Sequence, residues 1–198
     1  MKVYEYKNYD EYINAQISAN KRKIKKVYVQ ERVIKHICKY LKTKKDKISF
    51  GLCHGTRRGV EQQFFKEHLG CQVLGTEISD TATQFPDTIQ WDFHKVKPEW
   101  IGSCDFIYSN SLDHAFNPKK ALKSWLDCLS PDGILCLEWA ESFKKHPKTS
   151  NFTDPFSCSH ENLIKMITDI GGKVLDVVKI ENYRNSNKAK IIYIKRGI

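Results

Sequence analysis

The spacing of apolar and polar positions changes character near residue 48. Between Tyr9 and about Leu41 apolar residues recur at three- and four-residue steps, which gathers them on one face of a helix. Val29, Val33, Ile34, Ile37, Cys38 and Leu41 make one such face, with Lys35, Lys39 and Lys42 turned to water. An earlier helix carries Tyr12, Ile13 and Ile17, and KRKIKK at 21–26 separates or extends it. TKKDK at 43–47 is a polar connector.

Beyond it, short apolar runs alternate with helical patterns. Strands are expected at 48–53, 72–76, 88–91, 105–109, 133–139, 174–180 and 190–194, and helices at 59–68, 118–129 and 160–170. This alternation argues for a mainly parallel sheet with helices on both faces. Asn117-Pro118 opens one helix with a cap and a proline, Ser159 caps another that ends at Gly171-Gly172, and Ser130-Pro131-Asp132-Gly133 makes a turn into the next strand.

In an open parallel sheet ligands bind beyond the carboxyl ends of the strands. GLCHGTRRG at 51–59 follows the first strand and precedes a helix, so its backbone amides and the helix N-terminus are placed to meet a ligand. Glu77 ends the next strand at the spacing expected of a carboxylate that grips ribose hydroxyls. A third strand ends in Trp91-Asp92-Phe93, where an acid accepts from an adenine amino group and the ring packs on the base.

Composition narrows the class. The 198 residues are 40% hydrophobic and 12% aromatic, which fits one folded domain rather than disorder. No apolar run approaches the roughly 20 residues needed to span a bilayer, and the N-terminus lacks the apolar core of a signal peptide. A soluble, cytoplasmic protein is the expectation. Seven cysteines, without a CxxC pair, read as reduced buried thiols. Of the net charge of +10, residues 1–47 hold 14 basic against 5 acidic side chains, so the basicity is N-terminal.

The order ISFGLCHGTRRG, VLGTEIS, IQWDF, CDFIYSNSLDH, ALKSWLDCLSPDGILCLEW, GGKVLDVV and KIIYIKR resembles the class I S-adenosylmethionine-dependent methyltransferases over residues 48–198. The resemblance implies a Rossmann-like α/β fold: seven mainly parallel strands in the order 3-2-1-4-5-7-6, the last-added strand antiparallel, with residues 1–47 as a basic helical cap. It implies S-adenosyl-L-methionine as cofactor, held by Gly51, Cys53, His54, Gly55, Thr56, Glu77, Asp92, Phe93, Ser109 and Asn110. The sequence departs from the family's acid-then-GxGxG pattern: Gly51 stands at the acid's place, and Cys53, Gly55 and Arg57 at the glycine places.

His114 is the candidate general base, since a histidine titrates in the useful range; packing against the following helix is its other reading. Arg57 and Arg58 either meet an anionic group, pair with Glu61 or face solvent. Trp139 either borders the acceptor or packs. His54, His94, His114, Asp92 and Asp113 all follow strands, but their spacing matches no ligand motif, so no metal is expected. The fourth-strand end, Ser-Asn-Ser-Leu, lacks the signatures of base-methylating DNA enzymes. A small metabolite or sugar-type acceptor is therefore preferred. The basic N-terminal segment leaves RNA or another polyanion open as a partner. A scaffold protein without turnover and a nicotinamide-dependent enzyme are the competing classes, the latter disfavoured because GxGxxG is absent.

Overall fold

The computed structural model describes residues 1–140, 152–183 and 187–197. Nine strands and five helices follow in the order β1 (Lys2–Val3), α1 (Tyr9–Arg22), α2 (Glu31–Lys44), β2 (Phe50–His54), α3 (Val60–Leu69), β3 (Gln72–Glu77), β4 (Thr88–Gln90), β5 (Cys104–Ser109), α4 (Pro118–Cys128), β6 (Leu129–Ala140), β7 (Phe156–Ser157), α5 (His160–Asp169), β8 (Gly172–Tyr183) and β9 (Asn187–Arg196). Seven strands form one sheet in the order β4-β3-β2-β5-β6-β9-β8, and β1 pairs with β7 apart from it. Numbered along the chain, the seven lie 3-2-1-4-5-7-6. Within this sheet β9, wedged between β6 and β8, runs antiparallel to both.

The sheet separates two hydrophobic clusters. One joins Val33, Ile34, Ile37 and Leu41 of α2 to Phe65 of α3 and to Phe106, Tyr108 and Tyr193 on the sheet. The other joins Leu122, Trp125 and Leu126 of α4 and Leu163, Met166 and Ile167 of α5 to Leu52, Ile107, Leu135 and Ile192. Central strands buried on both faces need apolar residues at nearly every position, which β5 and β6 supply.

The caps form as expected: Asn117 accepts from the Lys120 amide with Pro118 next to it, and Ser159 accepts from the Asn162 amide. Of KRKIKK, Lys21 and Arg22 extend α1 to its end and residues 23–26 begin the connection to α2. The Ser-Pro-Asp-Gly segment lies inside β6, not before it. Cys104 pairs with Leu129 but Phe106 with Ile134, so residues 130–133 bulge out and pairing resumes beyond them. The short strands β1 and β7 are an addition to the expected set.

α1 departs most from its sequence pattern. Its buried side chains are Tyr12, Ala15, Gln16, Ala19 and Asn20, while Ile13 and Ile17 are only half-buried. The helix lies across the carboxyl ends of the strands, tied down by Tyr9 Oη to Asp92 Oδ2 at 2.5 Å, Thr81 Oγ1 to Asn20 Oδ1 at 2.8 Å and Lys21 to Asp80 at 2.9 Å. It faces a polar cleft rather than the core.

Candidate functional site

The carboxyl ends of β2, β3, β4 and β5 and the underside of α1 border a cleft lined by Glu77, Asp92, Phe93 and His114 among others. A second cleft continues from it toward the α1–α2 connection. Lys23, Gly55, Arg57, Ser111 and His114 border both. The two are adjoining halves of one site, with His114 at the junction.

The loop after β2 turns by left-handed backbone: Gly55 has φ +76°, Arg57 +48° and Gly59 +75°. At Gly55 a Cβ would also lie 2.6 Å from Ser111 Cβ, so only glycine fits. Arg57 takes a conformation that disfavours side chains. Its amide donates to Glu77 Oε2 at 3.0 Å, which holds it there, while the Ser79 amide donates to Oε1 at 3.2 Å. Each Glu77 oxygen keeps acceptor capacity facing the cleft.

Asp92 is more heavily used. Its Oδ1 accepts from the His94 amide at 2.9 Å and the His94 ring at 2.7 Å, and its Oδ2 from Tyr9. Burial raises the Asp92 carboxyl's pKa, but the His94 and Tyr9 contacts outweigh it and hold it at about 2. The His94 ring, buried more strongly than its carboxylate partner compensates, is pushed below the usual histidine range.

His114 Nδ1 lies 2.9 Å from the Thr153 carbonyl oxygen and 3.6 Å from Asp154 Oδ1. A carbonyl can only accept, so the hydrogen of the neutral ring sits on Nδ1 and Nε2 carries the lone pair. Asp113 Oδ1 is 4.0 Å from that Nε2. Asp113, His114 and Asp154 bring potential metal-ligand atoms within 4.8 Å of one another, as do Glu31, Glu67 and His68 elsewhere. Spacing hid the first group because Asp154 arrives from beyond β6.

The other expected site residues divide. Gly55, Glu77, Asp92 and Phe93 border the first cleft, and Gly55, Thr56 and Asn110 the second. Gly51, Cys53, His54 and Ser109 border neither. A Cβ on Gly51 would lie 2.2 Å from the Phe106 ring, so this glycine serves close packing. Cys53 is fully buried among core residues. His54 stacks on Trp125 at 5.1 Å, and Ser109 Oγ donates to the His54 carbonyl at 3.1 Å. Trp139 is buried against Phe156.

Arg57 and Arg58 do not simply face solvent. Their guanidinium groups donate to the carbonyls of Lys26 and Lys25, at 3.2 and 3.3 Å, and lie over the rings of Tyr28 and Phe85. They latch the α1–α2 connection onto the loop. The sequence led to the expectation of an N-terminal helical cap but not to its lining residues: Tyr12, Gln16, Ala19, Asn20 and Lys23 all border the first cleft. Their signal was helical spacing on a face too polar to read as core.

Residues 52–137 match the family described as "Methyltransferase domain". No curated protein sequence is significantly similar to the chain. Among solved structures, the chain is similar to the Burkholderia thailandensis 1,6-didemethyltoxoflavin-N1-methyltransferase with bound 1,6-didemethyltoxoflavin and S-adenosylhomocysteine (TM-score 0.76, 14% identity, 98% of this chain and 92% of that one). It is also similar to the N-methyltransferase NodS from Bradyrhizobium japonicum with S-adenosylhomocysteine (0.69, 13%, 92% and 98%). A third is a SAM-dependent methyltransferase from Aquifex aeolicus (0.61, 18%, 87% and 97%).

Proposed function

Since residues 52–137 match the methyltransferase-domain family and the chain has the class I methyltransferase fold, we propose that it is an S-adenosylmethionine-dependent methyltransferase acting on a small-molecule acceptor. The observation that carries this reading is the pair of adjoining clefts that share His114. One cleft suits the donor and the other the acceptor, and the shared residues stand where the two meet.

The residues present suit the donor. Glu77 offers two oxygens with remaining acceptor capacity for ribose hydroxyls, and Phe93 and Ile78 flank it with apolar surface for a base. Asp92 retains one further acceptor site, on Oδ2 beside Tyr9, for an adenine amino group. Gly55 lets the backbone approach closely. Gly51, Cys53, His54 and Ser109 border neither cleft and pack beneath this loop.

S-adenosylmethionine supplies a methyl group on a positively charged sulfur. The protein's part is to hold the acceptor in line with that methyl and keep water out, and such positioning removes about 7–11 kcal/mol of barrier. His114 Nε2, with its hydrogen held on Nδ1 by Thr153, accepts the proton that a hydroxyl or amine acceptor sheds. Among the described residues no helix is long and apolar enough to cross a membrane. Within the N-terminal 47 residues, α1 acts as the cap, whereas α2 is packed into the core of the domain that follows.

Calorimetry with S-adenosylhomocysteine tests the donor half. We expect micromolar binding, weakened about tenfold or more in Glu77→Ala, the equivalent of one lost charge-assisted hydrogen bond. Absence of binding at millimolar ligand removes the enzyme reading. Release of S-adenosylhomocysteine in a screen of candidate metabolites tests the acceptor half.

A further inference from the structure

Four cationic side chains and three carboxylates border the second cleft, and two of the carboxylates belong to the His114 end. Lys23, Lys26, Arg57 and Arg58 border it, and among the described residues none of the four takes part in an ion pair. Each arginine spends one N–H on a carbonyl of the α1–α2 connection, out of the five that a guanidinium carries. Glu61, at the start of α3, is the one carboxylate bordering the cleft beside them. The other two, Asp113 and Asp154, stand around His114.

Hydrogen-bond supply points the same way. Thr56 Oγ1, Arg57 Nε and Asn110 Nδ2 are buried and have no partner among the described residues, and Thr56 is only 3% exposed. All three can donate, and all three belong to residues bordering the second cleft. Buried donors left unpaired are costly, so a ligand rich in acceptor oxygens is favoured there. These cations and the unspent donors together describe an oxyanion site.

The donor's own carboxylate, a single negative charge, neutralises only one of these cations. Building on the methyltransferase reading above, we propose that the acceptor is phosphorylated. Its phosphoryl group sits between Arg58, Lys26 and the Thr56–Arg57 turn, and its nucleophilic atom points to His114. The carboxylates of Asp113 and Asp154 repel a phosphate from the histidine end and so fix the acceptor's direction in the cleft.

Inorganic pyrophosphate is the probe, titrated by calorimetry into protein already saturated with S-adenosylhomocysteine, with acetate as a singly charged control. We expect pyrophosphate to bind and acetate not to. Lys26→Gln and Arg58→Gln are each expected to weaken pyrophosphate about tenfold, as for loss of one charge-assisted contact, and to leave S-adenosylhomocysteine affinity unchanged. Lys26 is exposed and its side chain makes no ion pair among the described residues, so Lys26→Gln tests the site without endangering the fold. The proposal is overturned if pyrophosphate does not bind at millimolar concentration, or binds equally well to both variants. It is also overturned if pyrophosphate competes with S-adenosylhomocysteine, which assigns the cations to the donor's carboxylate. Binding of a single-stranded RNA that the variants abolish, without pyrophosphate binding, assigns them to a polyanion. Failure of S-adenosylhomocysteine itself to bind, with pyrophosphate binding intact and sensitive to both variants, refutes the methyltransferase reading while leaving the oxyanion site standing.

Discussion

Acid should unfold this protein earlier than an ordinary domain, and His54 supplies a measurable share of the effect. The ring ends β2 inside the sheet, 3% exposed, stacked on Trp125, with Nδ1 2.8 Å from Thr76 Oγ1. Nε2 has no partner among the described residues. Burial, and secondarily the nearby His94, lowers its pKa from the ordinary 6.5 to about 3. Below pH 6.5 the unfolded chain therefore takes a proton that the folded chain refuses. The stability this group contributes is complete above that pH and is lost as pH falls toward 3. The slope is about 1.4 kcal/mol per pH unit, so descending two units to about pH 4.5 costs about 2.7 kcal/mol, a large fraction of a typical domain's total. Urea unfolding of the natural protein and of His54→Phe, at steps from about pH 7.5 to about pH 4.5, isolates the effect. Phenylalanine keeps the stacked ring but cannot titrate, and its loss of the Thr76 contact costs about 1 kcal/mol at every pH. His94 adds acid sensitivity of its own to both proteins. Two stability curves that run parallel with pH would refute the reasoning.

Gly51→Ala drives a methyl group into the Phe106 ring at 2.2 Å, and that ring is fully buried against Phe65. We expect about 1–3 kcal/mol of destabilisation in urea unfolding, with S-adenosylhomocysteine affinity unchanged in the folded fraction; weakened affinity would return Gly51 to the ligand's surroundings. Tyr9→Phe removes one donor from Asp92 Oδ2. Because Tyr9 is 36% exposed, the expected loss is only about 1 kcal/mol. The Asp92 carboxyl should titrate upward from about 2, as read by carbon NMR, and an unmoved titration would show that α1 is not anchored there.

What was legible in the sequence follows the physics that wrote it there. Strands buried on both faces leave continuous apolar runs, so β5 and β6 stood out, and caps such as Asn117 and Ser159 are local chemistry that needs no tertiary context. Glu77 and Asp92 were legible because strand ends in a parallel sheet converge on one rim. The buried face of α1 was not, because burial against a polar cleft selects Gln16 and Asn20, residues that periodicity counts as exposed. Gly51, Cys53 and His54 were read toward the ligand because they adjoin the loop. Strand alternation and the Phe106 and Trp125 rings instead turn them into the two cores.

The arginines in the loop after β2 look, in sequence, like damage to a glycine-rich turn, yet their contacts describe a joint. Arg57 sits at φ +48° where a glycine would be unstrained, at a cost of about 1–2 kcal/mol. Its amide bond to Glu77, the bond of its guanidinium to the Lys26 carbonyl and its stacking on Tyr28 offset that strain. A glycine would relax the backbone but release the α1–α2 connection, and with it the rim that carries Lys23 and Lys26. The departure from the glycine pattern therefore couples two parts of one site: the turn beneath the first cleft and the basic wall of the cleft beside it. Strain accepted at a single residue holds the roof helix and the loop in one geometry.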